Sequence, residues 1–299
     1  RTTALGYGAL AVQNFTTATN SHNVGVGYFA GAAVTTGTQN TLIGALAGDA
    51  LTTGSSNVAL GFQALTTDTL GQSSVAIGRN ALIVQNFTTA TDAFNVAIGD
   101  RVGTSITTAR FNNLIGGLAG DALTTGNSNI AIGYNSLGAD TKGENSVAIG
   151  DQALAAQNFT TATDSHNVAV GASAGISVTT GVNNTLIGAL AGDALTDADH
   201  NIAIGFNALT SDTLGSRAVA IGQGALETQN FTTATDVYNV GVGFHAGTSV
   251  TTGEGNTLVG GLAGDALTDA DFNVAVGKNA LSSDTLGSFN TALGISCLE

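Results

Sequence analysis

The short stretch Gly171-Ala-Ser-Ala-Gly175 has the Gly-x-Ser-x-Gly pattern of a nucleophile elbow, in which a strained turn presents a serine to an acyl substrate. At the position of Ser173, however, the equivalent places one or two periods away hold Phe29, Arg101 and His245. A position that accepts these four side chains is a variable outward site, so no catalytic residue is expected. Gly25-Val-Gly-Tyr-Phe-Ala30 imitates a dinucleotide fingerprint, but no strand–helix–strand unit surrounds it.

The chain has 4 histidines. His22 and His166 occupy equivalent places, with Phe94 and Tyr238 at the intervening ones, while His200 and His245 lie elsewhere, which is a poor plan for a metal site within one chain. Asp49, Asp121, Asp193 and Asp265 recur in Gly-Asp-Ala-Leu, and Asp197/Asp199 and Asp269/Asp271 form Asp-x-Asp pairs. Such carboxylates suit calcium, but a turn that caps backbone N–H groups uses them equally well. No cofactor or metal is expected. Asn14, Asn86, Asn158 and Asn230 each open Asn-Phe-Thr, formally an N-glycosylation sequon. Cys297 stands where a small buried residue is expected, as an unpaired thiol.

What positions these residues is a repeat. Variants of Asn-Val-Ala-Ile-Gly, read at Asn95 to Gly99, return along the whole chain, and their closing glycine recurs 17 times from Gly6 to Gly294. The spacings run 21, 17, 17, 17, four times over, so the short repeat is nested in a 72-residue super-repeat. Periods this regular indicate a solenoid whose coils bury apolar surface only against their neighbours. The residue before each marker glycine is Leu, Ile or Val, the one three before is mostly Val, Ile or Thr, and the one between is small or Leu, the period of a β-strand. Asn precedes the strand in 13 coils and predicts an amide ladder.

The fold class predicted is all-β, a parallel β-solenoid of 17 rungs of 17 or 21 residues, continuous as one body over residues 1–299. The longer rungs carry Gln-Asn-Phe-Thr-Thr-Ala-Thr, which reads as a protruding loop with Phe15, Phe87, Phe159 and Phe231 as candidate contact residues. No strand has a charge at the three positions before its glycine, so both its faces are expected to be covered. With the Val/Ile face filling the coil, the other face, carrying Leu42, Leu114, Leu186 and Leu258, becomes the candidate subunit interface of a homo-oligomer.

The net charge of −14, with only 7 Lys and Arg, excludes a nucleic-acid or anionic-membrane partner. No apolar run approaches the ~20 residues of a membrane helix, so membrane insertion is not expected. The chain opens and closes mid-rung, which predicts a segment of a longer fibre or molecules that stack end to end. A threonine eight residues after the glycine in all 12 short rungs leaves ice binding as an alternative that needs this column flat and exposed.

The Asn-x-Val-Ala-Ile-Gly-x-x-Ala pattern resembles the head repeats of YadA-like trimeric autotransporter adhesins, and is similar to repeats in phage tail fibres. The resemblance implies a left-handed β-roll, a trimer, an extracellular place on a cell or virion surface, and attachment to a receptor or matrix. Hexapeptide acyltransferases share Ile-Gly-x-x-Ala, but with one hexapeptide per rung and no loop carrying a catalytic histidine the chain departs from them.

Overall fold

A computed structural model describes residues 1–299, without a helix. Seventeen three-residue strands, from Thr3–Leu5 to Thr291–Leu293, each end at the residue before a marker glycine, and they assemble as a parallel β-solenoid. The chain divides into two compact units, residues 1–146 with 158–163, and residues 147–157 with 164–299. In the first, the eight strands from Thr3–Leu5 to Ile130–Ile132 pair in sequence order, with Val24 opposite Thr41 and Val75 opposite Val96. In the second, nine strands run from Val147–Ile149 to Thr291–Leu293 in the same register, with Val168 opposite Thr185 and Val240 opposite Thr257.

Equivalent residues therefore lie over one another, and the marker glycines show why no side chain is allowed there. Gly61 has φ +141°, and a Cβ on it would meet the Gly78 carbonyl oxygen at 2.5 Å. The coil turns its corners with residues in the left-handed region, such as Leu46 at φ 59° and Gln39 at φ 61°. Each costs about 1 kcal/mol for a non-glycine residue. The corner N–H groups are thereby aimed along the stack, as when Leu46 donates to the Tyr28 carbonyl at 2.9 Å and Gln39 to the Ser21 carbonyl at 2.6 Å.

Side chains at the middle of the strands point inward, the reverse of the facing expected from sequence. From Val24–Val26 onward the central Ala, Gly or Leu is buried while its Val, Ile or Thr neighbours are half-buried or exposed. Leu42, Leu114, Leu186 and Leu258 are 0% exposed within the single chain, so they cannot form a subunit interface. The reason is size. A coil this narrow takes small residues at its centre, and a strand leucine fits only where the neighbouring corners are glycine. A Cβ on Gly31 or Gly48 would lie 2.6 or 2.8 Å from a Leu42 methyl, and one on Gly175 or Gly192 would lie 2.6 or 2.8 Å from a Leu186 methyl. Most coils with Ala in the strand carry Leu at that corner, as Ala59 with Leu65 and Ala76 with Leu82, both leucines fully buried, while the Ala97 and Ala169 coils, each next to a leucine coil, carry Gly103 and Gly175 there.

The asparagine ladder runs through the buried side of each unit. Asn40 Nδ2 donates to the Gly54 carbonyl at 2.8 Å, and its Oδ1 accepts the Asn57 N–H at 3.0 Å; Asn184 and Asn201 repeat this in the second unit. Amide side chains thus satisfy the polar backbone where the coil bends inward, groups that would otherwise be costly to bury.

Candidate partner-binding face and insertion turns

The outward flanks of the strands, Val75 and Ile77, Val96 and Ile98, Val219 and Ile221, lie side by side in register and form an uncharged apolar surface on each unit. It is extended by the residue after the marker glycine, where Tyr28, Phe62, Tyr134, Phe206 and Phe244 are about half exposed. Before the strand, Phe94 and Phe111 stack with centroids 5.8 Å apart and planes 15° apart, with the Arg110 guanidinium over the Phe111 ring. Charge interrupts it at a few positions, some of them in ion pairs, while Asp151 and Lys278 stand in the same column as Phe62 and Phe206. Arg79 holds Asp100 at 2.8 Å and Arg217 holds Asp236 at 2.9 Å, and the Arg79 guanidinium keeps the Asp100 carboxyl below the usual range. Thr41, Asn113, Thr185 and Thr257 interrupt the strip, and exposed apolar surface of this extent is commonly found where partners associate.

The insertions do not protrude as expected. Phe87, Phe159 and Phe231 are 5–6% exposed and fill the widened interior of the longer coils, while Phe15, in the first coil, is half-buried. Phe87, Phe159 and Phe231 are therefore too buried to be the contact residues expected, while Phe15 keeps part of its ring open; what faces out in the later turns is the threonine-rich part, Thr88 to Ala90 and Thr232 to Ala234. Three of the four insertions, those after the first, are fastened by a buried carboxylate that sequence reasoning missed. Asp68 accepts the Gly71 N–H at 2.9 Å, the Phe87 N–H at 3.2 Å and the Gln85 side-chain N–H at 2.7 Å. Asp212 does the same with Gly215, Phe231 and Gln229, and Asp140 accepts from Gly143 and Phe159. Burial pushes the Asp68 and Asp212 carboxyls above the ordinary value, against the opposing pull of these hydrogen bonds. Gln85 also replaces a missing member of the ladder. Where Asn gives way to Ser74, Gln85 Nε2 donates to the Ser74 hydroxyl at 3.0 Å and its Oε1 accepts from Asn95 at 2.9 Å. The signal was present: Asp-Thr-x-Gly at Asp68, Asp140, Asp212 and Asp284 recurs with the 72-residue period, and Ser74, Ser146 or Ala218 breaks the ladder one coil before each glutamine.

The residues of apparent chemical interest are dispersed. Ser173 sits at a left-handed corner, φ 56°, as do Phe29, Arg101 and His245 at φ 53°, 56° and 51°. His22 and His166 are exposed corner residues; His200 Nε2 lies 3.4 Å from Asn183 Nδ2, and His245 lies 3.6 Å from Glu227. No three His, Cys, Asp or Glu side chains converge. The repeated aspartates serve the coils. Asp49 accepts the Thr66 hydroxyl at 2.6 Å, Asp193 that of Thr210, Asp199 the Val182 N–H at 2.8 Å and Asp271 the Glu254 N–H at 2.9 Å. Asp121 and Asp265 sit in the same Gly-Asp-Ala-Leu turn, and burial raises both carboxyls. Asp197 accepts the Thr180 hydroxyl, and Asp269 those of Thr251 and Thr252, which hold its carboxyl below the usual range. The threonine column likewise spends its hydroxyl protons inside the fold, Thr35 on the Thr52 carbonyl and Thr52 on the Thr69 carbonyl. Cys297 is a half-buried free thiol.

A family model described as the YadA head domain repeat matches residues 53–81, 142–163 and 202–225, about a quarter of the chain. In these stretches the chain matches the YadA head repeat. The matched stretches hold coils with alanine at the strand centre, Ala59, Ala76, Ala148, Ala203 and Ala220, and include none of the four with a strand leucine. No curated protein and no solved structure matches the chain. No helix is long and apolar enough to cross a membrane.

Proposed function

We propose that this chain is a non-enzymatic segment of an extracellular adhesive fibre, trimeric, that attaches a surface to a receptor or matrix through many weak contacts. The observation that carries the reading is the uncharged Val/Ile face, together with the YadA-like repeat on which it is built. Each half-exposed Val or Ile covered by a sister subunit contributes about 1 kcal/mol, half the value for complete burial of such a side chain. Summed over the coils, that exceeds the cost of association by a wide margin. Subunits held this way present identical outer surfaces several times over, and repeated weak contacts on a stiff support multiply into strong attachment.

The test is light scattering coupled to gel filtration on the whole chain and on variants with charge in the strip, Val75→Glu and Ile98→Glu. The wild type is expected at three times the mass of one chain, and the variants at a smaller assembly with an unchanged β circular-dichroism spectrum. A wild type that runs as a monomer overturns the assembly. Attachment is read separately, as retention under flow of beads carrying the chain on matrix-coated or cell-coated surfaces; retention no greater than that of bare beads overturns the adhesive role.

A further inference from the structure

We propose that the Asn-Phe-Thr turns are acceptor sites for N-linked glycosylation, each taking one sugar on the asparagine Nδ2 from a nucleotide-activated hexose. The four turns recur at Asn14, Asn86, Asn158 and Asn230. In each, the central Phe points inward, and beyond the first coil it is almost wholly buried, which turns the residues on either side outward. Asn14, Asn158 and Asn230 are exposed and Asn86 is half-exposed; the threonines two residues on, Thr16, Thr88, Thr160 and Thr232, are all exposed. The carboxamide is already oriented. The single hydroxyl protons of Thr69, Thr141 and Thr213 lie between the Oδ1 of Asn86, Asn158 and Asn230, at 3.0, 3.0 and 3.1 Å, and the carbonyls of Phe87, Phe159 and Phe231, at 3.1, 2.8 and 2.8 Å. The contact at Oδ1 turns Nδ2, which makes no hydrogen bond within the chain, toward water.

An acceptor for this chemistry needs the carboxamide nitrogen accessible, a free hydroxyl two residues later for the transferase to read, and a residue other than proline between them. All three requirements meet in one turn. In the transfer, the Nδ2 lone pair attacks the anomeric carbon, the bond from that carbon to the diphosphate oxygen breaks, the nucleoside diphosphate leaves with the electron pair, and the Nδ2 proton passes to a base of the transferase.

The chain contains its own comparison. Asn183-Asn184-Thr185 also satisfies the sequence rule, but Asn183 Nδ2 faces His200 at 3.4 Å, Asn184 is buried, and Thr185 opens the strand Thr185–Ile187, where its side chain is half-buried in the sheet. The same tripeptide rule thus meets two different structural settings, and only the insertion turns leave both groups open.

The experiment incubates the folded whole chain with UDP-glucose and an N-glycosyltransferase specific for Asn-x-Ser/Thr, then reads intact mass and maps peptides. Hexose is expected at Asn86, Asn158 and Asn230, with Asn14 following, and none at Asn183. Asn158→Gln is expected to lose one hexose increment with its melting midpoint unchanged. A folded chain that takes no hexose at these turns, including one labelled only after heat unfolding, overturns the proposal, as does labelling of Asn183 at the same rate. Neither outcome bears on the assembly of the strand faces, which is read by mass in solution.

Discussion

Replacing Leu186 by Ala tests the size pairing that decides which face of the strand is inside. Leu186 is 0% exposed, and its Cδ1 would lie 2.6 Å from a Cβ on Gly175, whose other close neighbours, Leu154 and Val178, stand farther off at 3.1 and 3.3 Å. Loss of three methylene-sized groups costs about 2.4 kcal/mol by transfer alone. The coils above and below are locked by their backbone bonds and cannot collapse into the space, so a cavity cost of about 1 kcal/mol is added, for a total of about 3 to 4 kcal/mol. Gly175→Ala alone introduces a methyl against Leu186, with about 1 to 3 kcal/mol of overpacking. It also places a non-glycine residue at φ +56°, for about 1 kcal/mol. That backbone cost is the same with or without Leu186 and cancels in a double-mutant cycle. In the Leu186→Ala background the new methyl enters vacated space, so the double variant is expected to be about 1 to 3 kcal/mol more stable than the sum of the single changes. Guanidinium unfolding of the four proteins, followed by circular dichroism, measures the coupling. Additivity within about 0.5 kcal/mol would refute the account, since independent sites add to that precision.

Two other outcomes follow from features with a different physical cause. Burial raises the Asp68 and Asp212 carboxyls in the folded chain, so the folded state binds more protons than the unfolded one between the ordinary carboxylate value and the raised one; their contribution is complete below the unfolded pKa and is lost as pH rises through the folded pKa. The melting midpoint of Asp68→Asn/Asp212→Asn is therefore expected to depend less on pH across that window than the wild type, and an unchanged slope in calorimetric scans would exclude these two groups as its source. Gly61→Ala forces a methyl to within 2.5 Å of the Gly78 carbonyl oxygen at φ +141°, and is expected to destabilise by about 2 to 4 kcal/mol in chemical unfolding, far more than the exposed substitution Arg79→Ala.

The strands, their parallel register and the asparagine ladder could be read from the 17- and 21-residue spacing because stacking coils repeat one local geometry. Facing could not be read the same way. Hydropathy separates an inner from an outer face when one is polar, and here Val75, Ala76 and Ile77 are apolar on both sides. The deciding information was volume, visible in the alternation of Leu42 with Gly31 and Gly48 against Ala59 with Leu65, which needs knowledge of which residues meet across coils. The insertions misled for a related reason. Extra residues usually loop outward, but the Phe87 backbone N–H donates to the buried carboxylate of Asp68, 19 positions earlier, and that pairing becomes plain only when one coil is laid on the next. The exposed Val/Ile face was located by the same correction, since it is what remains outside once Leu42 and its equivalents are inside.

The pairing of strand leucines with corner glycines also governs how such a chain can grow or shorten. A coil bearing Leu42 is a key that fits only beside coils cut to receive it, so deleting or copying that one 17-residue unit leaves a gap or sets leucine against leucine. A block of 72 residues brings its own lock and key at both ends. Genetic recombination is thereby expected to lengthen or trim this protein in whole blocks, leaving every internal junction identical to one already tried.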